Sequence, residues 1–409
     1  MGDLYTYLNT ASYNYFAHIN SSNPMSNPFD NLYDLLLNKK LLTRSYRLCK
    51  NNAAPGYDGM TKKDVEENVD GFIDEIFTEL KSKNYSPSPL LKSRKPKRNG
   101  NGYRNLYIPV LKDKVVQRAF VQILNPINEA IFHNCNYAFR PNRNITDVIR
   151  TLKNDLLENE LHYVIKTDIE KCFQNLDKKL VLENLDFIKD EVFMGYIRKF
   201  LDIKVVDKAN NYLMNSSGVP EGTVIGPLLS NVALHSLDTL WMLNHQKAGD
   251  LELLRYADDL LFYMKYPDRN FIYEIDKMLG QINLNRNVKK TKSINLRSGK
   301  PLRLLGYYIQ VKRVKPLNLY IAPKKERISS LMNNLSKIIK SGENSEDEII
   351  TKINSNYSSF IKFYRESTDF EWLEDLKSNI EILLKYKGVM PDPILQKLRN
   401  QEKIMLYWI

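Results

Sequence analysis

LELLRYADDLLFYMKY (251–266) sets an adjacent pair of aspartates between two apolar runs. The runs read as two strands and the acidic segment as the turn that joins them. Working back along the chain, HYVIKTDI (162–169) is a second apolar, β-branched run, and it ends in an acid, Asp168. A buried strand that opens onto a site has this form. Neighbouring strands of one sheet would bring Asp168, Asp258 and Asp259 together. Taken alone, an Asp-Asp pair is more often a solvated turn; here the flanking strands and the rest of the chain favour chemistry. Three close carboxylates repel one another, which is tolerated where a divalent cation neutralises them. An all-oxygen donor set selects Mg²⁺, with Mn²⁺ as a substitute, over zinc. Two such ions about 4 Å apart would activate an attacking hydroxyl and stabilise a leaving oxygen in phosphoryl displacement. The chemistry expected is nucleotidyl transfer.

The surroundings agree with that. A chain of 409 residues fits two or three packed subdomains, and 43% hydrophobic residues supply a core. A net charge of +12 suits a polyanionic partner, although charge alone fits an ordinary basic protein equally well. Cys49, Cys135 and Cys172 are widely spaced, which argues against a disulfide framework or a zinc site and fits a reducing cytosol. No secretory signal and no run of about 18 apolar residues is seen, so a cytoplasmic protein without membrane partners is expected.

Residues 1–30 are rich in Asn, Ser and Tyr and read as a loosely structured or partner-docking extension. A helix follows from Asn31 and another from about Lys62 to Lys83. LKSRKPKRNGNGYR (91–104) reads as a basic hairpin tip, and 112–133 as a helix with its apolar face at 115, 116, 119, 120, 123, 124, 127 and 131. Residues 218–238 are a Gly/Pro loop running into an apolar helix, 302–311 a strand pair or bent strand, and the chain from Lys324 onward is helical.

Tyr256-Ala257-Asp258-Asp259 matches the YxDD box of reverse transcriptases, and the other segments resemble that family's blocks in order. They include NNAAPGYDGMT (51–61), RKPKRNGNGYRNLYIPVLKDKVVQRA (94–119), NYAFRPNRN (136–144), YVIKTDIEKCFQNLD (163–177), GVPEGTVIGPLLSNVALHSLD (218–238), KKTKSINL (289–296) and LRLLGYYI (302–309). The chain most resembles bacterial enzymes of the group II intron lineage, over about 31 to 365. The resemblance implies an α+β right-hand polymerase: an extension at 1–30, fingers at 31–160, a palm at 161–315 with an antiparallel sheet and packed helices, and a helical thumb at 316–409.

It also implies roles. Asp168, Asp258 and Asp259 would be the catalytic acids and, with the carbonyl of Ile169, the ligands of two Mg²⁺ ions. Lys97 and Arg104 would hold the dNTP phosphates, and Phe173 would exclude a 2′-hydroxyl. Gly218, Pro220 and Gly222 would let backbone approach the nucleotide and template base, and Lys292 would stand near the triphosphate. Leu305-Gly306 fits the primer grip, and Arg140 and Arg143 would support template or fingers. Glu221 departs from the family, which has Gln there; an anion would repel phosphate unless protonated or turned onto a cation or amide. Gly226 in place of Ser is a milder change. The expected partners are an RNA template, dNTPs and a DNA product. The chain has no room for the DNA-binding and endonuclease modules of mobile intron proteins, nor does it carry the NAxxH and VTG signatures of retron enzymes. A stand-alone, defence-associated enzyme copying a dedicated noncoding RNA is therefore expected. A maturase-like RNA binder without synthesis and a template-independent or protein-primed polymerase are the alternatives.

Overall fold

The computed structural model describes residues 2–18, 27–96, 102–245, 249–314, 317–340 and 345–386. The N-terminal half holds helices α1 (Gly2–His18), α2 (Leu32–Leu36), α3 (Lys39–Leu48) and α4 (Val69–Lys81), then the hairpin β1 (Leu90–Pro96) and β2 (Tyr103–Ile108). Helices α5 (Leu111–Glu129) and α6 (Ile145–Glu158) lead to β3 (Tyr163–Asp168). Helices α7 (Cys172–Asn175), α8 (Lys178–Glu183) and α9 (Glu191–Leu201) precede strands β4 (Lys204–Val206) and β5 (Tyr212–Asn215). Next come α10 (Gly226–His245), the hairpin β6 (Leu251–Tyr256) and β7 (Asp259–Met264), α11 (Phe271–Gln281) and β8 (Lys292–Asn295). Strands β9 (Leu302–Leu304), β10 (Tyr307–Val314) and β11 (Leu317–Pro323) are followed by α12 (Lys325–Lys340), α13 (Glu346–Phe363) and α14 (Glu371–Tyr386).

The site rests on the sheet of order β6-β7-β3-β8, whose neighbours all run antiparallel. Side chains alternate faces along a strand, and β7 shows what this sheet does with the rule. Leu260, Phe262 and Met264 enter a core built with α5, α9 and α10, while Leu261 and Tyr263 enter a second core with β9–β11 and α12–α14. Both faces are therefore buried, which explains why 260–264 is continuously apolar. A one-residue slip would exchange the faces and misplace every one of these side chains. The register that aligns the acids is fixed by packing.

A second sheet, β2-β1-β4-β5, carries the basic hairpin, with β4 running parallel to β1. The third, β11-β10-β9, joins the sheet region to the C-terminal helices. Tyr364 Oη donates to the Gly306 carbonyl (3.3 Å), and the Ile321 and Thr368 amides bond across the same joint.

Two expectations change. Residues 2–18 form a helix, with Leu8 and Ser12 buried and Asn9 Nδ2 donating to the Pro126 carbonyl of α5 (3.0 Å). Tyr15 and Phe16 add a ring cluster with Phe29 and Phe187. The segment is part of the core through Leu4, Leu8, Tyr15 and Phe16, while Tyr5, Tyr7 and Tyr13 are exposed. The helix expected from Asn31 is two helices, since the Asn38 side chain caps the amides of Lys40 and Leu41 and starts α3 afresh. The three cysteines are buried and free. Among the described residues no helix is long and apolar enough to cross a membrane.

Candidate active site

Asp168 ends β3 and pairs in register with Asp259, the first residue of β7. Tyr256 pairs with Asp259 from the other side, which leaves Ala257-Asp258 as a two-residue turn. The Ile169 amide donates to the Asp258 carbonyl (3.1 Å) and clips the turn to the end of β3. Ala257 sits at φ +58°, a conformation that fits glycine. A side chain there costs about 1–2 kcal/mol, so the surroundings must hold the turn.

Lysines flank the acids. Lys290 Nζ stands 2.6 Å from Asp168 Oδ2, and Lys166 Nζ lies 3.8 Å from Asp259 Oδ1. The bond to Asp168 raises the Lys290 ammonium above its ordinary range. Burial pushes the Asp258 carboxyl up, and the charges of Asp259 and Asp168 push it further. Asp259 is likewise raised, by burial first, against the pull of Lys166. Among the described residues no three His, Cys, Asp or Glu side chains already stand in a metal-holding arrangement. Donor chemistry nonetheless fits a hard divalent cation: oxygen-only ligands, Asp168 buried and Asp258 and Asp259 half-buried, repel one another, and such an ion would relieve this. It would have to compete with Lys290 for Asp168.

Above the acids lies the Gly/Pro loop. Arg104 Nη1 of β2 meets Glu221 Oε1 at 3.1 Å, and the Tyr107 amide donates to the Glu221 carbonyl (2.8 Å). Burial raises the Glu221 carboxyl; Arg104 opposes this, and the charge of Asp258 adds to it, so the loop and the acids share one electrostatic neighbourhood. The Val219 amide donates to the Phe173 carbonyl (2.8 Å), and a Cβ on Gly218 would come within 2.2 Å of that same oxygen. Asp258 also contributes to lifting the Cys172 thiol to about 12, behind burial itself, which sets the residue before Phe173 beside the acids.

Residues 95–309 match the family described as reverse transcriptase (RNA-dependent DNA polymerase). The chain is a member of the reverse transcriptase family. It is similar to the group II intron-encoded protein LtrA of Lactococcus lactis subsp. cremoris, at 25% identity over 90% of this chain and 72% of that protein. Protein YkfC of Escherichia coli (strain K12) is 35% identical over 45% of this chain and 49% of its own length. The putative COX1/OXI3 intron 2 protein of Saccharomyces cerevisiae is 30% identical over 46% of this chain and 22% of its own. The mixed α+β architecture, with antiparallel sheets and packed helices, is that of a right-hand polymerase.

Among the other expected residues of this reverse transcriptase, Lys292 is exposed in β8, paired with Lys166, whereas Lys290 reaches Asp168. The segment 289–292 offers three lysines, and only the turn set by the Asn287 amide on the Asp168 carbonyl (2.7 Å) decides between them. Arg140 is buried, forked onto Glu129, and donates to the carbonyls of His133 and Asn136. Arg143 bonds Asn134 and lies over the Tyr137 ring. Both brace the segment 133–143, Arg140 from a buried position and Arg143 from a partly exposed one. Gly218 and Gly222, at φ +57° and +106°, are required by left-handed backbone and by the carbonyls of Phe173 and Tyr107, so their tight approach is to the protein itself. Pro220 is buried, its carbonyl accepting from Thr223 Oγ1 (2.9 Å). Leu305 and Gly306 turn β9 into β10 with positive φ. Lys97 lies outside the described residues.

Proposed function

We propose that this reverse transcriptase is an active RNA-directed DNA polymerase that adds dNTPs by two-metal nucleotidyl transfer. The observation that carries the reading is the meeting of Asp168, Asp258 and Asp259 at one end of the β6-β7-β3 sheet. A pure RNA binder has no use for clustered carboxylates whose like charges oppose one another. Asp168, Asp258 and Asp259, with the Ile169 carbonyl, would hold the Mg²⁺ ions, whose contribution is to generate the nucleophile and neutralise the developing phosphate charge. The remaining work falls to the chain's own groups. Arg104 offers a fork to phosphate oxygens, and Phe173, pinned through its carbonyl by Val219, is suited to excluding a 2′-hydroxyl. Glu221 has the cation that its departure from Gln requires: it is turned onto Arg104. Residues 31–160, 161–315 and 316–409 serve as fingers, palm and thumb in this reading.

Purified protein with Mg²⁺, dNTPs and a primed RNA is expected to extend the primer, and Asp258→Ala to abolish extension. Extension unchanged in that variant sinks the assignment of the acids. Failure on every template, with tight RNA binding retained, supports the maturase-like alternative. Sequencing the nucleic acid that co-purifies tests whether the template is a dedicated noncoding RNA, as a defence-associated enzyme requires. The same experiment exposes any covalent DNA–protein link left by protein priming.

A further inference from the structure

Beneath the acidic turn lies a fully buried charge that none of the assigned roles uses. Arg255 and Asp238 are both 0% exposed, and the guanidinium meets the carboxylate with two bonds, Nε to Oδ1 at 2.7 Å and Nη2 to Oδ2 at 2.5 Å. The remaining nitrogen, Nη1, donates to Asn231 Oδ1 (3.0 Å) and to the carbonyl of Ala257 (3.4 Å). Asn231 and Asp238 lie seven residues apart on one face of α10, a helix held in the core by Leu228, Leu229, Val232 and Leu237. The Arg255 main chain is tied as well: its amide donates to the Cys135 carbonyl (2.7 Å) and its carbonyl accepts from the Tyr137 amide (2.9 Å). Asn231 Nδ2 reaches the same segment at the Ala138 carbonyl (2.7 Å).

Stability alone does not account for this arrangement. A buried ion pair is commonly no more stabilising than apolar side chains of the same volume, because both charges lose their water. Apolar side chains could not grip a carbonyl. The carbonyl gripped here belongs to Ala257, the one turn residue in the left-handed region and the residue immediately before Asp258. Strained backbone persists where surrounding groups over-determine it, and such strain gathers at functional sites.

We infer that Arg255 is a positioning residue for the candidate metal site: anchored by Asp238 and Asn231, it holds the Ala257 turn and so aims Asp258. The inference rests on the reading of Asp258 as a ligand and extends it to residues that touch neither metal nor substrate. Groups that orient ligands from behind typically change metal affinity or activity by about 10- to 100-fold when altered.

The test uses the full chain with Arg255→Lys, which keeps the charge and loses the fork, alone and with Ala257→Gly, which removes the need for a hold at positive φ. Three quantities are read: primer extension resolved into kcat and KM for dNTP, the Mg²⁺ concentration giving half-maximal rate, and amide hydrogen exchange of 256–260 in metal-free protein. Arg255→Lys is expected to lower kcat by about 10- to 100-fold with KM for dNTP little changed. It should also raise the Mg²⁺ requirement and speed exchange in the turn while α10 keeps its protection. Ala257→Gly in that background is expected to restore part of the rate. A rate loss that only follows the fraction of folded protein, turn amides exchanging as in the parent, or no recovery with glycine would each overturn the inference. If Arg255→Lys does not fold, Asn231→Ala keeps the ion pair and removes an acceptor of Nη1. Faster turn exchange then supports the hold, and unchanged exchange overturns it. If the parent protein extends no primer, the polymerase reading fails, while the exchange measurement still decides the role of Arg255.

Discussion

Two arginine–carboxylate pairs bracket the candidate site, and they are built in opposite ways. Arg255–Asp238, under the acids, is doubly bonded with both side chains 0% exposed, while Arg104–Glu221, above them, is one 3.1 Å contact with the arginine 62% exposed. The lower pair joins a core helix to a core strand; the upper joins the tip-side strand of a hairpin to a loop. A group that must be in place before each reaction belongs in the rigid interior, and one that must trade partners with an arriving anion belongs near solvent. On the proposed reading, the reaction's fixed and exchangeable parts would thus be separated by burial.

The comparison can be broken most severely at the acids themselves. Asp168→Ala is expected to abolish primer extension, a loss at least as large as the about 10²- to 10³-fold cost of one transition-state contact. Residual extension near the parent rate would remove Asp168 from the site. Next comes the buried pair. Asp238→Ala leaves an uncompensated guanidinium inside the protein and is expected to lower the unfolding free energy by about 3–5 kcal/mol in denaturant titrations. Glu221→Ala at the exposed pair should change it by no more than about 1 kcal/mol; equal losses would erase the contrast. Phe173→Val is expected to admit ribonucleotides, narrowing discrimination by on the order of 10- to 200-fold, as read from single-nucleotide addition of rNTP against dNTP. Unchanged rejection would return Phe173 to an ordinary packing role.

Asp113 sharpens the same contrast, as a buried carboxyl whose hydrogen bonds come from neutral donors. Tyr85 Oη and the Ser88 amide donate to it at 2.7 and 2.8 Å, and burial raises it to about 7. Its folded value lies above its unfolded one, so the folded state holds the proton more tightly. The stability it contributes is complete below about pH 4 and is lost as pH rises through about 7. Unfolding free energies measured from pH 5 to 8 are expected to fall through this range, and Asp113→Asn to flatten the fall; an identical slope would exclude Asp113 as its source. The smallest change is expected for Glu221→Gln, which removes a competitor for Arg104 and should leave dNTP incorporation unchanged or raised by a few fold, within about 1 kcal/mol. A clear loss would make Glu221 a working part of nucleotide selection.

Much of this was legible from short-range patterns. The apolar runs around Asp258-Asp259 and before Asp168 specify strands, and a sheet buried on both faces makes such runs continuous. The hairpin at 91–104 follows from its basic, glycine-containing tip. What was not legible depends on three-dimensional competition between similar side chains. Lys290 and Lys292 differ only in which way a short turn and strand present them. Arg140 and Arg255 look alike in sequence to exposed, phosphate-binding arginines, and only the carboxylates and carbonyls met in the fold reveal them as internal braces. Residues 2–18 carry little hydrophobic periodicity, because their packing face is small and shared with α5.

The central position of β3 has a consequence for how the protein comes into being. Its partner β7 lies about ninety residues further along the chain and β8 further still, so β3 is joined to the acidic hairpin only by distant pairings. Contacts of that kind form late and slowly. At about 5–20 residues per second, a ribosome needs several seconds to pass from Asp168 to Asp258. Through that interval the nascent protein carries the basic hairpin strand β1 and a lone acidic strand end, so on the proposed reading it could attract a polyanion before it could extend one.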